Sequence, residues 1–323
     1  HQEDSLGPNG AGRFIPTKRQ QFDAFGNVIG MLDANGKLTT VEYDALLHVF
    51  PVLERLHLDG GKTLTYVASY HYGFGKVSNA TDYNGHPHTY VYDTFGRLSK
   101  IVQPGDTLDK PTQQFRYEIS SPRSAIISEH REQAGTDEVF TTVVYYDGFG
   151  RKLQTRSEAE GGQVVVTDAV LFNARQSPRA TFLPYYDSDL AYKAPDPALP
   201  HVTQLYDPLA RIVRRQQPDG SVTSVVHKPL TQLLFDEEDN DPASPYRNTP
   251  RTLVYDGLER LLRVEEVNVV NDQPERYTTH YTYDALGNLV KIVDAQGNVK
   301  TQTFDALKRK LSINDPDRGQ AFF

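Results

Sequence analysis

The sequence predicts an all-β chain, an antiparallel meander of short hairpins joined into one curved or spiralling strip. Three observations predict it. An aromatic residue followed by aspartate recurs at Phe22-Asp23, Tyr43-Asp44, Tyr92-Asp93, Tyr146-Asp147, Tyr206-Asp207, Tyr255-Asp256, Tyr283-Asp284 and Phe304-Asp305, with Tyr72-Gly73 as a degenerate ninth pair. Between these pairs falls a second set of aspartates followed three positions later by glycine, at Asp33-Gly36, Asp82-Gly85 and Asp294-Gly297. The segments joining them are rich in Tyr, Val, Ile and Thr, the residue types that fit a pleated surface.

The turns come first. Asp23, Asp33 and Asp44 lie 10 and 11 positions apart, and so do Asp284, Asp294 and Asp305. Tight spacings of 21 separate Phe22 from Tyr43 and Tyr283 from Phe304, and 20 separate Tyr72 from Tyr92. One repeat is therefore two turns and two strands. Aspartate at the first position with Gly26, Gly36, Gly85, Gly96, Gly150, Gly287 or Gly297 at the fourth signals a type I turn, because the carboxylate accepts a backbone hydrogen bond two residues on and glycine tolerates the exit. Asp44, Asp207, Asp256 and Asp305 carry Leu47, Ala210, Glu259 and Lys308 at that position instead, so their turns are expected to survive with a different exit.

The strands come next. In YTTHYTYD, Tyr277, Thr279, Tyr281 and Tyr283 fall on one face and Thr278, His280 and Thr282 on the other. No stretch holds a helical period over a dozen residues, and PVLERLHL is too short to count as a helix. Strands of six or seven residues, ~22 Å long, would number about 25, and a sheet on the order of 120 Å wide has to curl. The expected organisation is an irregular segment over 1–20, then a repeat strip over 21–323 with Pro-rich loop insertions near 103–140, 157–205 and 228–252.

Composition narrows the function classes. The chain has 19 Tyr and 15 Phe but no Trp, no Cys and a single Met, Met31. It is expected to be a processed product or an excerpt. Without cysteine there is no disulfide framework and no thiolate chemistry. A net charge of -8 argues against nucleic acid as a partner. No apolar run reaches the ~20 residues of a membrane span, and the first residues have no signal-peptide core.

Candidate chemistry is sparse. His86 and His88 in NGHPH share one strand face, as two metal ligands would, but lack a third in sequence, so a polar loop is favoured over a metal site. The run Asp236-Glu-Glu-Asp-Asn-Asp241 has the charge of a calcium loop without its central glycine or terminal glutamate. The repeat aspartates recur at every turn, which suits a structural role, whereas acid/base catalysis needs one or two carboxyls set apart by environment. No catalytic residue, cofactor site or metal site is predicted.

The segments YDTFGRLSKIVQPGD, YYDGFGRKLQTR, YDPLARIVRRQQPDGSVT and YDALGNLVKIVDAQGNVK resemble the YD-repeat or RHS-repeat family, in which a Tyr-Asp-x-x-Gly-Arg/Asn-Leu core recurs about every twenty residues. Members include bacterial RHS toxins, the B and C components of insecticidal toxin complexes, plasmid-virulence proteins and, more distantly, teneurins. The resemblance covers roughly residues 21 to 319. It implies hairpins wound into a hollow shell around a toxic polypeptide, in a bacterial protein that is secreted or at the cell surface. No segment resembles the family's autoproteolytic core, so the chain reads as wall without cargo. The implied partners are the remainder of a larger toxin-complex protein and its cargo. The alternative is a recognition module in which Tyr-rich strands and insertion loops bind a glycan or a protein receptor.

Overall fold

The structure is a computed structural model that describes residues 2–4, 13–15, 17–271 and 273–323. Almost every element is an antiparallel strand. They form a 14-stranded sheet, a 13-stranded sheet and a two-stranded ribbon. The chain divides into two compact units, residues 1–165 with 186–191, and residues 166–185 with 192–323.

In the first unit the strands from Lys18–Phe22 to Lys152–Glu158 pair strictly in chain order, so each is hydrogen-bonded to its neighbours in sequence. In the second unit the order runs from Val170–Phe172 through Pro178–Phe182 and His201–Tyr206 to Gly319–Phe322. The meander is thus shared between two sheets. The strand Val164–Thr167 lies in the first sheet, and after the left-handed Asp168 (φ 54°) the strand Val170–Phe172 begins the second.

The segments expected to be irregular are largely strands. Gln2–Asp4 pairs with Arg13–Ile15 within residues 1–20. Region 103–140 holds Gln113–Glu118 and Arg123–Arg131, and region 157–205 holds Val164–Thr167, Val170–Phe172, Pro178–Phe182 and Tyr185–Asp187. Region 228–252 holds Thr231–Phe235 and the short helix Glu237–Asn240. These hairpins turn on sequences without aspartate at the first position, such as 119–122 and the left-handed Leu230. PVLERLHL is a strand over Pro51–His57.

Burial explains what holds the sheets. A strand such as Leu98–Val102 or Thr231–Phe235 is half-buried at every position rather than alternately buried and exposed. That is the pattern of a single layer, in which in-plane neighbours cover each side chain. Among the described residues the enclosed apolar side chains are few and mostly small, including Ala68, Ala80, Ala125 and Val143 in the first unit and Val166, Ala169, Ala180 and Val264 in the second. Tyr277 shares the strand face of Thr279 and Tyr281 but is exposed, and it donates to Glu275 Oε2 at 2.7 Å. Among the described residues no helix is long and apolar enough to cross a membrane.

Candidate functional site

The recurring unit is the aspartate turn. In 93–97, Asp93 N–H donates to the Arg97 carbonyl (2.9 Å) and Gly96 N–H to the Asp93 carbonyl (2.9 Å). This is a type I turn closed by a left-handed residue, Gly96 (φ 72°), which forms a bulge. Asp93 Oδ1 accepts from the N–H groups of Phe95 and Arg97, and Oδ2 accepts from Arg97 Nε at 2.7 Å. The same set recurs at Asp147, Asp207, Asp256 and Asp305 with arginine at the fifth position. Asn27, Asn288 and Asn298 supply the amide instead at Asp23, Asp284 and Asp294. Asp33 and Asp82 keep the two backbone bonds, from Asn35 and Lys37 and from Asn84 and His86. The arginine or asparagine at the fifth position, visible in the sequence, is therefore the carboxylate's own partner.

Turns without glycine keep the same exit, which corrects the expectation. Ala210 (φ 61°), Glu259 (φ 61°) and Lys308 (φ 63°) adopt the left-handed conformation and make the same bonds to Asp207, Asp256 and Asp305. The bulge dictates the backbone whatever the side chain. A left-handed residue with a Cβ costs ~1–2 kcal/mol, partly offset by the greater freedom glycine loses on folding. Replacing Ala210, Glu259 or Lys308 with glycine is therefore expected to stabilise the second unit by about 0.5–1 kcal/mol each, read from urea melts. Asp44 is the true variant. His48 N–H closes a longer loop onto its carbonyl, and the buried Asp44 carboxylate accepts from Leu47, Val49 and Phe50 N–H.

These hydrogen bonds lower the carboxyl pKa values. Burial pushes Asp93 and Asp147 up, but the bonds from Arg97 and Arg151 outweigh it and hold both below the ordinary range. The N–H of the fifth residue leads at Asp207, Asp256 and Asp305, and the asparagine amide at Asp284 and Asp294. At Asp44 burial is again overcome, by Phe50, Leu47 and Val49 N–H, to about 2. Groups that bind protons less tightly folded than unfolded contribute stability above the ordinary carboxylate value, and that stability is lost as pH falls through their lowered values. The melting temperature is expected to be level between about pH 7 and 5 and to drop below about pH 4. A melting temperature unchanged at the lowest pH would contradict this account.

The aromatic half of the pair has its own geometry. Each aromatic sits opposite the first or second strand residue after its turn, beside the bulge: Phe22 faces Val28, Tyr43 faces Pro51, Tyr70 faces Val77 and Tyr92 faces Leu98. The next ladder starts two residues further on, at Gly30, Leu53, Asn79 and Lys100. The carbonyls of Val28, Pro51, Val77 and Leu98 therefore lie beyond it, and each accepts the hydroxyl of the following repeat's tyrosine: Tyr43 (3.4 Å), Tyr70 (3.0 Å), Tyr92 (2.8 Å) and Tyr117 (2.8 Å). In the second unit Phe172 faces Pro178, whose carbonyl takes Tyr206 O–H at 2.8 Å, and Tyr206 faces Ile212, whose carbonyl lies 3.3 Å from His227 Nε2. The relay places Tyr70, not Tyr72, in the repeat, and adds Tyr117 and the pair Phe172-Asn173. Asn173 Oδ1 accepts from Arg175 and Ser177 N–H as an aspartate would. Tyr146, Tyr255, Tyr283 and Phe304 occupy the same bulge positions.

The other candidates are accounted for locally. His86 Nδ1 and His88 Nε2 lie 3.5 and 3.8 Å from Asp82 Oδ2, and among the described residues no group of three or more ligating side chains could hold a metal. The acidic run forms a capped helical turn: Asp236 Oδ1 accepts from Asp239 N–H, and Asp239 returns the bond and also accepts from Thr249. A cleft of about 640 Å³ beside it is lined by Ser224, Phe235, Tyr246, Arg251 and Glu266.

Comparison with known proteins adds to this geometry. The RHS repeat family model matches residues 272–299 and 283–320. No curated protein matches the chain. Solved structures do. TcdB2-TccC3-Cdc42 matches with a TM-score of 0.68 at 17% identity over 94% of this chain and 22% of that one. TcdB2-TccC3 without its hypervariable C-terminal region matches with 0.65 at 16% over 93% and 21%. The Tc holotoxin pore of Photorhabdus luminescens with a mutated TccC3 matches with 0.64 at 17% over 93% and 21%. The likeness is one of fold, and this chain spans about a fifth of the length of the solved chains it matches. The turn chemistry, the repeats matched over residues 272–320 and the fold agree in likening this chain to the YD-repeat or RHS-repeat proteins.

Proposed function

We propose that this chain is a structural segment of an RHS-type shell that encloses an effector polypeptide within a secreted bacterial toxin complex. The observation that carries the reading is the likeness of fold to TcdB2-TccC3 structures over 93 to 94% of the chain. The single-layered meander suits it: a wall one sheet thick encloses volume economically and acts by exclusion. Its partners are then the rest of the larger protein and the cargo. The role is non-catalytic, since the repeated carboxylates are committed to their own turns. The tyrosine hydroxyls of the relay are likewise bound to backbone, which weighs against presenting those rings to a glycan.

Electron microscopy of the natural polypeptide that contains this chain tests the proposal. A closed hollow particle with these hairpins in its wall, and an interior segment shielded from protease, is expected. An open ribbon, or cargo digested as fast as the free polypeptide, would overturn it. Turnover of a substrate abolished by one substitution in this chain would overturn the non-catalytic role.

A further inference from the structure

Consecutive antiparallel strands place alternate connections at the same end of a sheet, so each unit has two rims. In the first unit one rim collects the connections that start at the aromatic-Asp positions and their variants. Every one of them carries a large exposed apolar side chain: Phe25, Leu46, Tyr72, Phe95, Ile119 and Phe149, each 47 to 79% exposed. The opposite rim, built of DANGK, LDGGK, DYNGH, QPGDTLDKPT, EQAGTDE and AEGGQ, is charged and glycine-rich, with Leu58 and Leu108 as its exposed large apolar residues. The second unit repeats the contrast. Leu209, Leu230, Leu258, Leu286 and Leu307, 51 to 74% exposed, lie on successive connections of one rim, while QPDGS and DAQGN lie on the other. The longer connections of that other rim carry exposed Leu183 and Tyr246, but large apolar tips repeated on successive connections of one rim in each unit are not the scatter of a normal surface.

We infer that the apolar rim is an interface whose occupant is the apolar rim of a second copy of this chain. The area fits. At about 200 Å² for a large apolar side chain, the six tips of the first unit expose roughly 800 Å², what one partner contributes to a standard interface. The charge fits as well, because the rim aspartates are bonded within their own turns by backbone N–H groups and by Asn27, Arg97 or Arg151, so covering the rim strands no carboxylate. The spacing favours a like partner. Same-end turns recur every second strand, about 10 Å apart, and a rim of equal period brings every tip into register. The rim is also pre-organised, since neighbouring turns are tied to each other: Asn27 Nδ2 donates to the His48 carbonyl (2.7 Å), Lys76 Nζ to that of Gly96 (2.7 Å) and Arg175 Nη1 to that of Pro208 (3.1 Å), while Phe25 stacks on His48 at 4.0 Å. Little freedom is lost on docking. The inference does not rest on the shell reading, because a recognition module with the same rims would associate in the same way.

Sedimentation velocity of the full chain across a concentration series tests it. Concentration-dependent association that persists at high salt is expected, since apolar contact is not screened. The pair Phe95→Ser and Phe149→Ser is expected to weaken it on the order of 100-fold or more, as loss of two interface anchors would, with the circular dichroism spectrum unchanged because both side chains are exposed. Leu258→Ser with Leu307→Ser provides the equivalent test in the second unit. Asn84→Ser with Gln296→Ser, on the opposite rims, is expected to leave association unchanged. A monomer throughout the series, or equal weakening by the opposite-rim pair, overturns the inference. So does tip-dependent co-sedimentation of a monomeric chain with phosphatidylcholine vesicles, which would assign the rim to a lipid surface.

Discussion

Arg156→Ala is expected to destabilise the first unit by about 3–5 kcal/mol, the cost of breaking a buried charge network from one side. Arg156 is fully enclosed, at 0% exposure. Its guanidinium donates from Nε to Gln154 Oε1 (2.7 Å), from Nη1 to the Asp189 carbonyl (2.6 Å) and from Nη2 to Asp187 Oδ2 (2.7 Å). It thereby fastens the segment around 187–189 to the strand Lys152–Glu158, and Tyr145 O–H adds a bond to the Leu190 carbonyl at 2.8 Å. Asp187→Ala removes the carboxylate from the enclosed cation and is expected to cost a similar amount. Urea melts of both variants check this. The double variant should cost much less than the sum of the two, because the groups share one network. Additive losses, or an Arg156→Ala melt like that of the parent, would show that the guanidinium does not hold the segment.

The relay of tyrosine hydroxyls supports the second expectation. Tyr70→Phe, Tyr92→Phe and Tyr117→Phe each delete one hydrogen bond to a carbonyl outside the ladder, at about 1 kcal/mol apiece. The hydroxyls sit two strands apart, about 10 Å, so the triple variant is expected to lose about 3 kcal/mol by addition. Tyr186→Phe, at an exposed ring, serves as the control and should leave the midpoint in place. Hydrogen exchange at the turn-proximal strand ends should quicken in the triple variant before the strand centres do. If the triple variant melts like the parent, the hydroxyls have no such role.

The contrast between these two sites shows what the sequence made legible. The turn at Asp93 could be read because its partners, Phe95 and Arg97, are two and four residues away. Chemistry at that range is written in local spacing. The residue at Arg97 is equally local, an arginine or asparagine following the glycine position, but its role as the carboxylate's partner comes from the structure. The relay is harder to read, since a tyrosine's acceptor lies 15 to 28 residues distant and its own neighbour can vary: Tyr70 precedes His71 and Tyr117 precedes Glu118, so neither forms an aromatic-Asp pair. Asn173 escaped for the same reason. Arg156 gives no signal, because Asp187 and Asp189, which hold its two terminal nitrogens, lie more than 30 residues on, inside a stretch whose prolines suggest a loop. The division into two sheets was equally hidden, since a strand reads the same whichever sheet takes it up.

The pairing of most strands with their neighbours in sequence has a consequence for biosynthesis. Topology of this kind keeps most contacts short along the chain, which favours rapid structure formation. Hairpins can add one after another to a growing edge as the polypeptide leaves the ribosome, each new strand finding its template already in place. An exception is the return of residues 185–189, where Tyr185–Asp187 pairs with Val164–Thr167 and Arg156 clasps residues 187–189. It has to wait until those residues have been translated, and so marks the moment at which the first unit is sealed during synthesis.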